Sequence, residues 1–123
     1  MTRSHQRTQE DLAAGLHRKI AALPGVQVKP LAITHGIVPV AYWVNGTEFV
    51  HFHGNSQIDL RVPEERLRGE VLQDTRAKIN PYARSRVEFD FETLSDADDA
   101  FRFIERVYRL IKAARGTASG SAT

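Results

Sequence analysis

Two turn signals close together in the middle of the sequence constrain the fold of this chain more than any other feature. Asn45-Gly46 separates the β-type runs Val40 to Val44 and Thr47 to His53, and it is the strongest two-residue hairpin signal known. Gly54-Asn55-Ser56 then separates the second run from Gln57 to Val62. The segment therefore predicts two successive β-hairpins that share their central strand.

Helical patterns flank these hairpins on both sides. The first helix is predicted to begin at Thr8 and to end at Pro24-Gly25, with leucine and isoleucine recurring at helical spacing. The last helix is predicted to be capped by Ser95 and to end before Gly116. A short central helix should start after Pro63, because proline and acidic residues favour a helix N-terminus.

Two further segments have the character of strands. Val26 to Lys29 precedes Pro30, which confines a strand to the edge of a sheet. Arg86 to Glu92 alternates charged and apolar residues, as a half-buried strand does. The order of elements predicts an α+β fold. It would consist of a single antiparallel sheet of about four or five strands, with long N- and C-terminal helices and one short central helix packed on one face.

Length and composition favour one small domain inside the cell. The 123 residues fit a single domain, predicted at 8–115, with polar disordered tails at 1–7 and 116–123. No apolar run approaches the roughly 20 residues of a membrane span, and the N-terminus lacks a signal-peptide core. The absence of cysteine excludes disulfides and thiolate nucleophiles within these residues. We therefore expect a cytoplasmic protein without a membrane partner.

The three-residue turn fixes the register of the second hairpin. It places His51 opposite Asp59 and Phe52 opposite Ile58, whereas a two-residue turn would mix apolar and polar residues on each face. The apolar positions then form one face, which we interpret as core. That face carries Val50, Phe52, Ile58 and Leu60.

The opposite face of the hairpins gathers polar and aromatic side chains. It is predicted to carry Phe49, His51, His53, Gln57, Asp59 and Arg61. A regular Asn45-Gly46 hairpin would add Tyr42 opposite Phe49 and would turn Trp43 towards the core. If the strand from Arg86 to Glu92 lies in the same sheet, Glu88 and Asp90 join this face.

Three interpretations of this face remain open. His51 and Asp59 form an ordinary cross-strand polar pair in the first. In the second they are catalytic, with Asp59 orienting His51 as a base and Arg61 holding an anionic group. The third is a metal site that uses His51 and His53 with Asp59 or Glu88 as a further ligand, for which a defined third ligand is missing.

The same face suggests what the protein binds. In the leading hypothesis Tyr42 and Phe49 supply apolar contact, and His53 and Arg61 supply polar contact, to a small ligand. Alternatively, the face is a protein-interaction surface, for example of a homodimer. No sequence motif identifies a cofactor.

A nucleic-acid partner is not favoured. The formal net charge of +2 is small for such a protein. Arg102, Arg106 and Arg109 could contact phosphates from the last helix, but Glu105 among them favours a solvated, ion-paired face.

The residues of the second hairpin also resemble a known family. The run EFVHFHGNSQIDLRVP, residues 48–63, resembles the small "luciferase domain" family of bacterial and fungal proteins. The resemblance covers roughly 10–113 and includes the loop Asn80-Pro81-Tyr82 and the final helix. It implies a compact α+β protein whose biochemical activity is largely unassigned, and it does not imply light emission, since a barrel-type luciferase needs about 250 residues.

The resemblance also bears on individual residues. His51, His53, Asp59 and Arg61 match the polar hairpin positions of the family. The family leads us to expect a histidine close to Pro81, where this chain has Asn80. That departure counts against the metal interpretation.

Overall fold

The computed structural model describes the backbone of residues 2–31, 33 and 35–122, and the side chains of residues 8–31, 33 and 35–114. The predicted tails, 1–7 and 116–123, lie outside the residues with described side chains. Disorder of the tails and the domain limits 8–115 therefore stay predictions.

Three helices and one six-stranded antiparallel sheet make up the described part of the chain. The helices are α1 Thr2–Ala21, α2 Glu65–Leu72 and α3 Leu94–Ala122. The strands are β1 Gln27–Pro30, β2 Val40–Val44, β3 Thr47–Phe52, β4 Gln57–Arg61, β5 Ala77–Asn80 and β6 Ala83–Asp90. They pair in the order β1-β2-β3-β4-β6-β5.

The predicted α+β class is confirmed, with slightly more strands than expected. The additional strand is β5, a short segment that leads into the turn signal at Asn80-Pro81 and was therefore expected to be loop. Strand β1 lies at the sheet edge, as Pro30 predicts. Helix α1 begins earlier in the chain than the predicted start at Thr8.

The two turns adopt the backbone conformations that their sequences favour. Asn45 and Gly46 have φ angles of 51° and 77°, both in the left-handed region that a two-residue hairpin turn requires. Gly54 has a φ angle of 77° in the second turn. The pairs Val50–Leu60, His51–Asp59 and Phe52–Ile58 are all observed. The predicted register of the second hairpin is confirmed.

The core lies between one face of the sheet and the helices. Phe52 packs edge-on against Tyr42 and Phe91, with ring centroids 6.2 Å apart in both pairs. Phe89 contacts Phe103 of α3. Each helix contributes buried apolar side chains to the same cluster, among them Leu16, Leu67 and Ile104. Within the described ranges, no helix combines the length and the apolar character that crossing a membrane requires.

The first hairpin is irregular, and its register was predicted wrongly. The pairing shifts by one residue between Tyr42 and Trp43, so that Tyr42 pairs with Val50 and Phe49 is left unpaired in a β-bulge. Tyr42 and Phe49 are consequently fully buried among core residues. Trp43 is half-buried and pairs with Glu48 on the other face, where Lys29 Nζ lies 4.3 Å from its ring centroid.

A hydrogen bond to α1 accommodates the polar hydroxyl of Tyr42 in the core. A hydrogen bond of 2.6 Å joins its hydroxyl to His17 Nδ1 on α1. Burial also raises the pKa of the Tyr42 hydroxyl, which therefore stays protonated at neutral pH.

The cap of α3 differs from the prediction. Thr93 Oγ1 accepts a hydrogen bond from the Asp96 amide at 3.1 Å, and Asp96 Oδ2 accepts one from the Thr93 amide at 3.2 Å. This reciprocal capping box makes Thr93, rather than Ser95, the capping residue. Both are β-hydroxy residues near the same helix start, so the pattern alone did not separate them.

Arg76 joins the start of α3 to the loop before β5. Its guanidinium donates hydrogen bonds to Asp74 at 2.6 Å and 2.8 Å, to Asp96 at 2.6 Å and to Asp99 at 3.1 Å. The hydrogen bond from Arg76 lowers the pKa of Asp74, and the backbone amide of Glu92 is the main cause of the lowered pKa of Asp96.

Replacing Arg76 with methionine is expected to lower the free energy of unfolding at pH 7, because the neighbouring carboxylates lose their cation. The loss should be only about 2 kcal/mol, because these ion pairs are partly exposed. Since the pKa of Asp74 is lowered in the folded state, its contribution is present above pH 4 and is lost as the pH falls further. The difference between wild type and variant should therefore shrink as the pH falls below about 4. Urea unfolding followed by circular dichroism measures it, and a difference that stays constant over this range would contradict the assignment.

Candidate functional site

Polar side chains converge on the sheet face opposite the helices. The bulge in β3 brings both Glu48 and His51 to this face, and cross-strand pairing adds Asp59 of β4 and Arg86 of β6. Asn80, at the end of β5, completes the group. We refer to these five residues as the Asp59 cluster.

Asp59 lies at the centre of the cluster and is nearly inaccessible to solvent. Its side chain is only 8% exposed. Asn80 Nδ2 donates a hydrogen bond of 2.8 Å to Asp59 Oδ2, and Arg86 Nε forms an ion pair of 3.2 Å with Asp59 Oδ1. Among the described residues, neither Asp59 Oδ1 nor Arg86 Nη1 has a hydrogen-bond partner of adequate geometry, although both atoms are buried. Buried polar atoms without a hydrogen-bond partner commonly bind a water molecule or belong to a functional site.

Glu48 connects the arginine to the histidine. Arg86 Nη2 donates a hydrogen bond to Glu48 Oε2, and a second hydrogen bond of 2.8 Å joins Glu48 Oε1 to His51 Nδ1. In contrast, His51 Nε2 lies 3.7 Å from Asp59 Oδ2, beyond hydrogen-bond distance. The prediction that Asp59 orients His51 is therefore wrong in geometry, since Glu48 holds the imidazole.

A cavity of about 350 Å³ opens beside the Asp59 cluster. It is lined by Ile33, His51, His53, Asp59, Asn80, Pro81, Tyr82, Ala83, Arg86 and Glu88. Tyr82 is 96% exposed and Ile33 is 65% exposed, so the cavity combines charged groups with accessible apolar surface. Concave sites of this kind, with a few polar groups, are typical of small-molecule binding.

Close backbone packing positions Gly36 and Ile37, which follow Ile33 in the chain. A Cβ atom at Gly36 would lie 2.5 Å from the Gly54 carbonyl oxygen, which leaves no room for a larger residue. The Ile37 amide donates a hydrogen bond of 2.9 Å to Asn55 Oδ1. Gly36 and Ile37 therefore lie directly against the turn between β3 and β4.

The structure brings some of the predicted ligand-binding residues to the cavity and not others. His53 lines it, and its Nδ1 forms a hydrogen bond of 2.9 Å with Gln57 Oε1. Tyr42 and Phe49 do not reach this face, because the bulge turns both into the core. Arg61 is exposed and borders a separate groove beside α3.

Arg86 takes the place that the sequence assigned to Arg61. The two arginines are directly opposite in the sheet, where like charges repel, and Arg86 is the one that pairs with the carboxylates. Its position could have been predicted, because Arg86 lies an even number of residues from Glu88 and Asp90 in the same strand and therefore points to the same face. Glu48 was not predictable in this way, since only the bulge places it beside His51.

The metal interpretation finds no support in the side-chain arrangement. Within the described part of the chain, no three histidine, aspartate or glutamate side chains are placed to hold a metal ion. His51 and His53 share a face, but they lack the third ligand that the interpretation requires.

The arginines of α3 have acidic neighbours, as predicted. Arg102 pairs with Asp99, Arg106 with Glu70, and Arg109 with Glu105. Their positive charge is thus largely balanced on the helix surface.

A family model matches part of the chain. No curated protein and no solved structure matches the chain. The model described as "Luciferase domain" matches residues 46–107, which is just over half of the chain and contains the whole Asp59 cluster. The chain therefore belongs to the Luciferase domain family.

Proposed function

We propose that this domain binds a small organic molecule in the cavity beside the Asp59 cluster. The observation that carries the proposal is the position of Asp59, whose carboxylate is over nine-tenths buried yet belongs to the lining of an open cavity. Burying a charged carboxylate costs free energy, because removal from water disfavours its charge. A buried carboxylate beside a cavity therefore favours a functional role. Tyr82 and Ile33 supply apolar contact, the role first assigned to Tyr42 and Phe49.

We further propose His51 as the residue that exchanges a proton with the bound molecule. Imidazole is the side chain best suited to this task near neutral pH. Glu48 is the positioning residue, since its hydrogen bond fixes the ring and leaves Nε2 without a hydrogen-bond partner among the described residues. Asp59 then acts on the ligand rather than on His51.

This role predicts the proton distribution of the imidazole. Because a carboxylate only accepts hydrogen bonds, Nδ1 of His51 must carry the hydrogen of its contact with Glu48. Long-range ¹H–¹⁵N spectra at pH 7 are expected to show a protonated Nδ1, and Glu48→Gln should disturb that signal. A neutral ring protonated on Nε2 alone in the wild type would contradict the assignment.

A homodimer through the same face is the less favoured alternative. That hypothesis relied on Tyr42 and Phe49 for apolar contact, and both are buried within the chain. The remaining apolar surface at Tyr82 and Ile33 flanks a cavity rather than a flat patch.

A thermal-shift screen tests the proposal. A ligand present at 100 times its Kd stabilises the folded state by about 2.7 kcal/mol, which raises the melting temperature by several degrees. Wild type should respond to at least one class in a library of amines, carboxylates, nucleotides, flavins and acyl compounds. The double variant His51→Ala/Asp59→Asn should lose that response, while Arg61→Met, outside the cavity, should keep it. An unchanged response in the double variant, or none in the wild type, would overturn the proposal.

A further inference from the structure

The charges around the cavity do not balance. Three carboxylates, of Glu48, Asp59 and Glu88, lie in or next to its lining, and their side chains are at most 18% exposed. Among the described residues, two comparably buried side chains oppose them: Arg86, with 14% of its side chain exposed, and His51, with 15% exposed, which is charged only when protonated. Both already face Glu48 and Asp59. Buried charges are normally paired, so the cavity lacks positive charge.

Glu88 is the carboxylate with the weakest pairing. It lies on the cavity side of β6 and its side chain is 12% exposed. The nearest described cationic groups are Lys78 Nζ and His53 Nδ1, each 3.9 Å from a Glu88 oxygen and each on an exposed side chain. At this distance neither forms a hydrogen bond. Glu88 can therefore accept a charge-assisted hydrogen bond from a molecule in the cavity.

We propose that the ligand is an organic cation, with its ammonium group between Glu88 and Asp59. This inference rests on the proposed function. Asp59, directly opposite Glu88 in the sheet, supplies the second observation, since its buried Oδ1 lies 3.2 Å from Arg86 Nε but has no hydrogen bond of adequate geometry among the described residues. An ammonium group donates three hydrogen bonds and can serve both carboxylates.

The apolar part of the ligand lies against the mouth of the cavity. Tyr82 is almost fully exposed there, and an aromatic ring attracts a nearby cation as well as apolar surface. An anionic ligand is disfavoured, because it would bring a fourth negative charge to a site with one arginine. The unpartnered Arg86 Nη1 is instead suited to a neutral oxygen of the ligand or to a water molecule.

Three probes of the same shape separate the charge classes. Benzylamine, benzyl alcohol and benzoate are titrated into the ¹⁵N-labelled full chain, and binding is located from amide shifts around Tyr82 and Glu88. Benzylamine is expected to bind at least tenfold more tightly than benzyl alcohol, the effect of one charge-assisted hydrogen bond, and benzoate is expected not to bind.

Two substitutions in β6 compare a carboxylate that lines the cavity with one that does not. Glu88→Gln should reduce the affinity for benzylamine about tenfold. Asp90→Asn removes the same charge two residues along β6, outside the cavity lining, and should leave the affinity within about twofold. Melting curves check that both variants are folded.

The outcomes distinguish this inference from the function on which it rests. Binding of benzoate or benzyl alcohol at the cavity in preference to benzylamine would overturn the cation assignment and leave ligand binding intact. Equal losses in Glu88→Gln and Asp90→Asn would also overturn it, since only general charge would then matter. Failure of all three probes to shift the cavity amides would overturn both.

Discussion

Replacing Arg86 with methionine is expected to lower the free energy of unfolding by about 3–5 kcal/mol. Methionine keeps much of the side-chain volume but leaves Glu48 and Asp59 as buried carboxylates without their cation. Removal of one partner of a buried ion pair costs far more than the pair itself contributes, because the remaining charge stays desolvated. Urea denaturation at pH 7, monitored by Trp43 fluorescence, provides the measurement.

Arg61→Met is the matched control for this experiment. Arg61 is paired with Arg86 across the sheet and carries the same charge, but it is exposed. Its replacement should change the free energy of unfolding by less than about 0.5 kcal/mol. If the two variants lose the same stability, Arg86 does not compensate buried carboxylates, and the structure of the Asp59 cluster is wrong.

Truncating Phe52 to alanine should cost about 3–5 kcal/mol of unfolding free energy. The ring is fully buried between Tyr42 and Phe91, so its removal forfeits apolar burial and leaves a cavity in the core. Calorimetric melting or urea unfolding reports the loss directly.

The adjacent residue of the same strand gives the contrasting result. His51→Ala should cost only about 2 kcal/mol, the net value of one hydrogen bond to a charged group, because His51 points to the opposite face and Glu48 keeps its ion pair with Arg86. It should nevertheless abolish the ligand response in the thermal-shift screen. Similar destabilisation by both substitutions would contradict the alternation of core and cavity along β3.

The part of the fold that rests on local rules was predictable from the sequence. A three-residue turn and strict alternation determine which residues of β3 and β4 face each other, so the His51–Asp59 pair was found correctly. Pro30 identified the edge strand for a similarly local reason, since it cannot donate a ladder hydrogen bond.

The errors in assigning residues to a face of the sheet arose where one extra residue in a strand reverses the faces of the residues beyond it. The bulge at Phe49 reverses the orientation of Tyr42, and no turn residue or proline marks its position. The same bulge brings Glu48 beside His51, which explains why the positioning residue was missed. The role of Arg86 depends on the pairing of β4 with β6, a contact between strands distant in sequence.

The most direct test of the central claim is a crystal structure of the protein soaked with a library of small organic fragments. We predict density for a fragment in the cavity between Tyr82 and Ile33, with a polar group directed at Asp59, Arg86 or Glu88. Fragments bound only at other surfaces, in crystals where this cavity is accessible yet stays empty, would contradict a ligand-binding function for the Asp59 cluster.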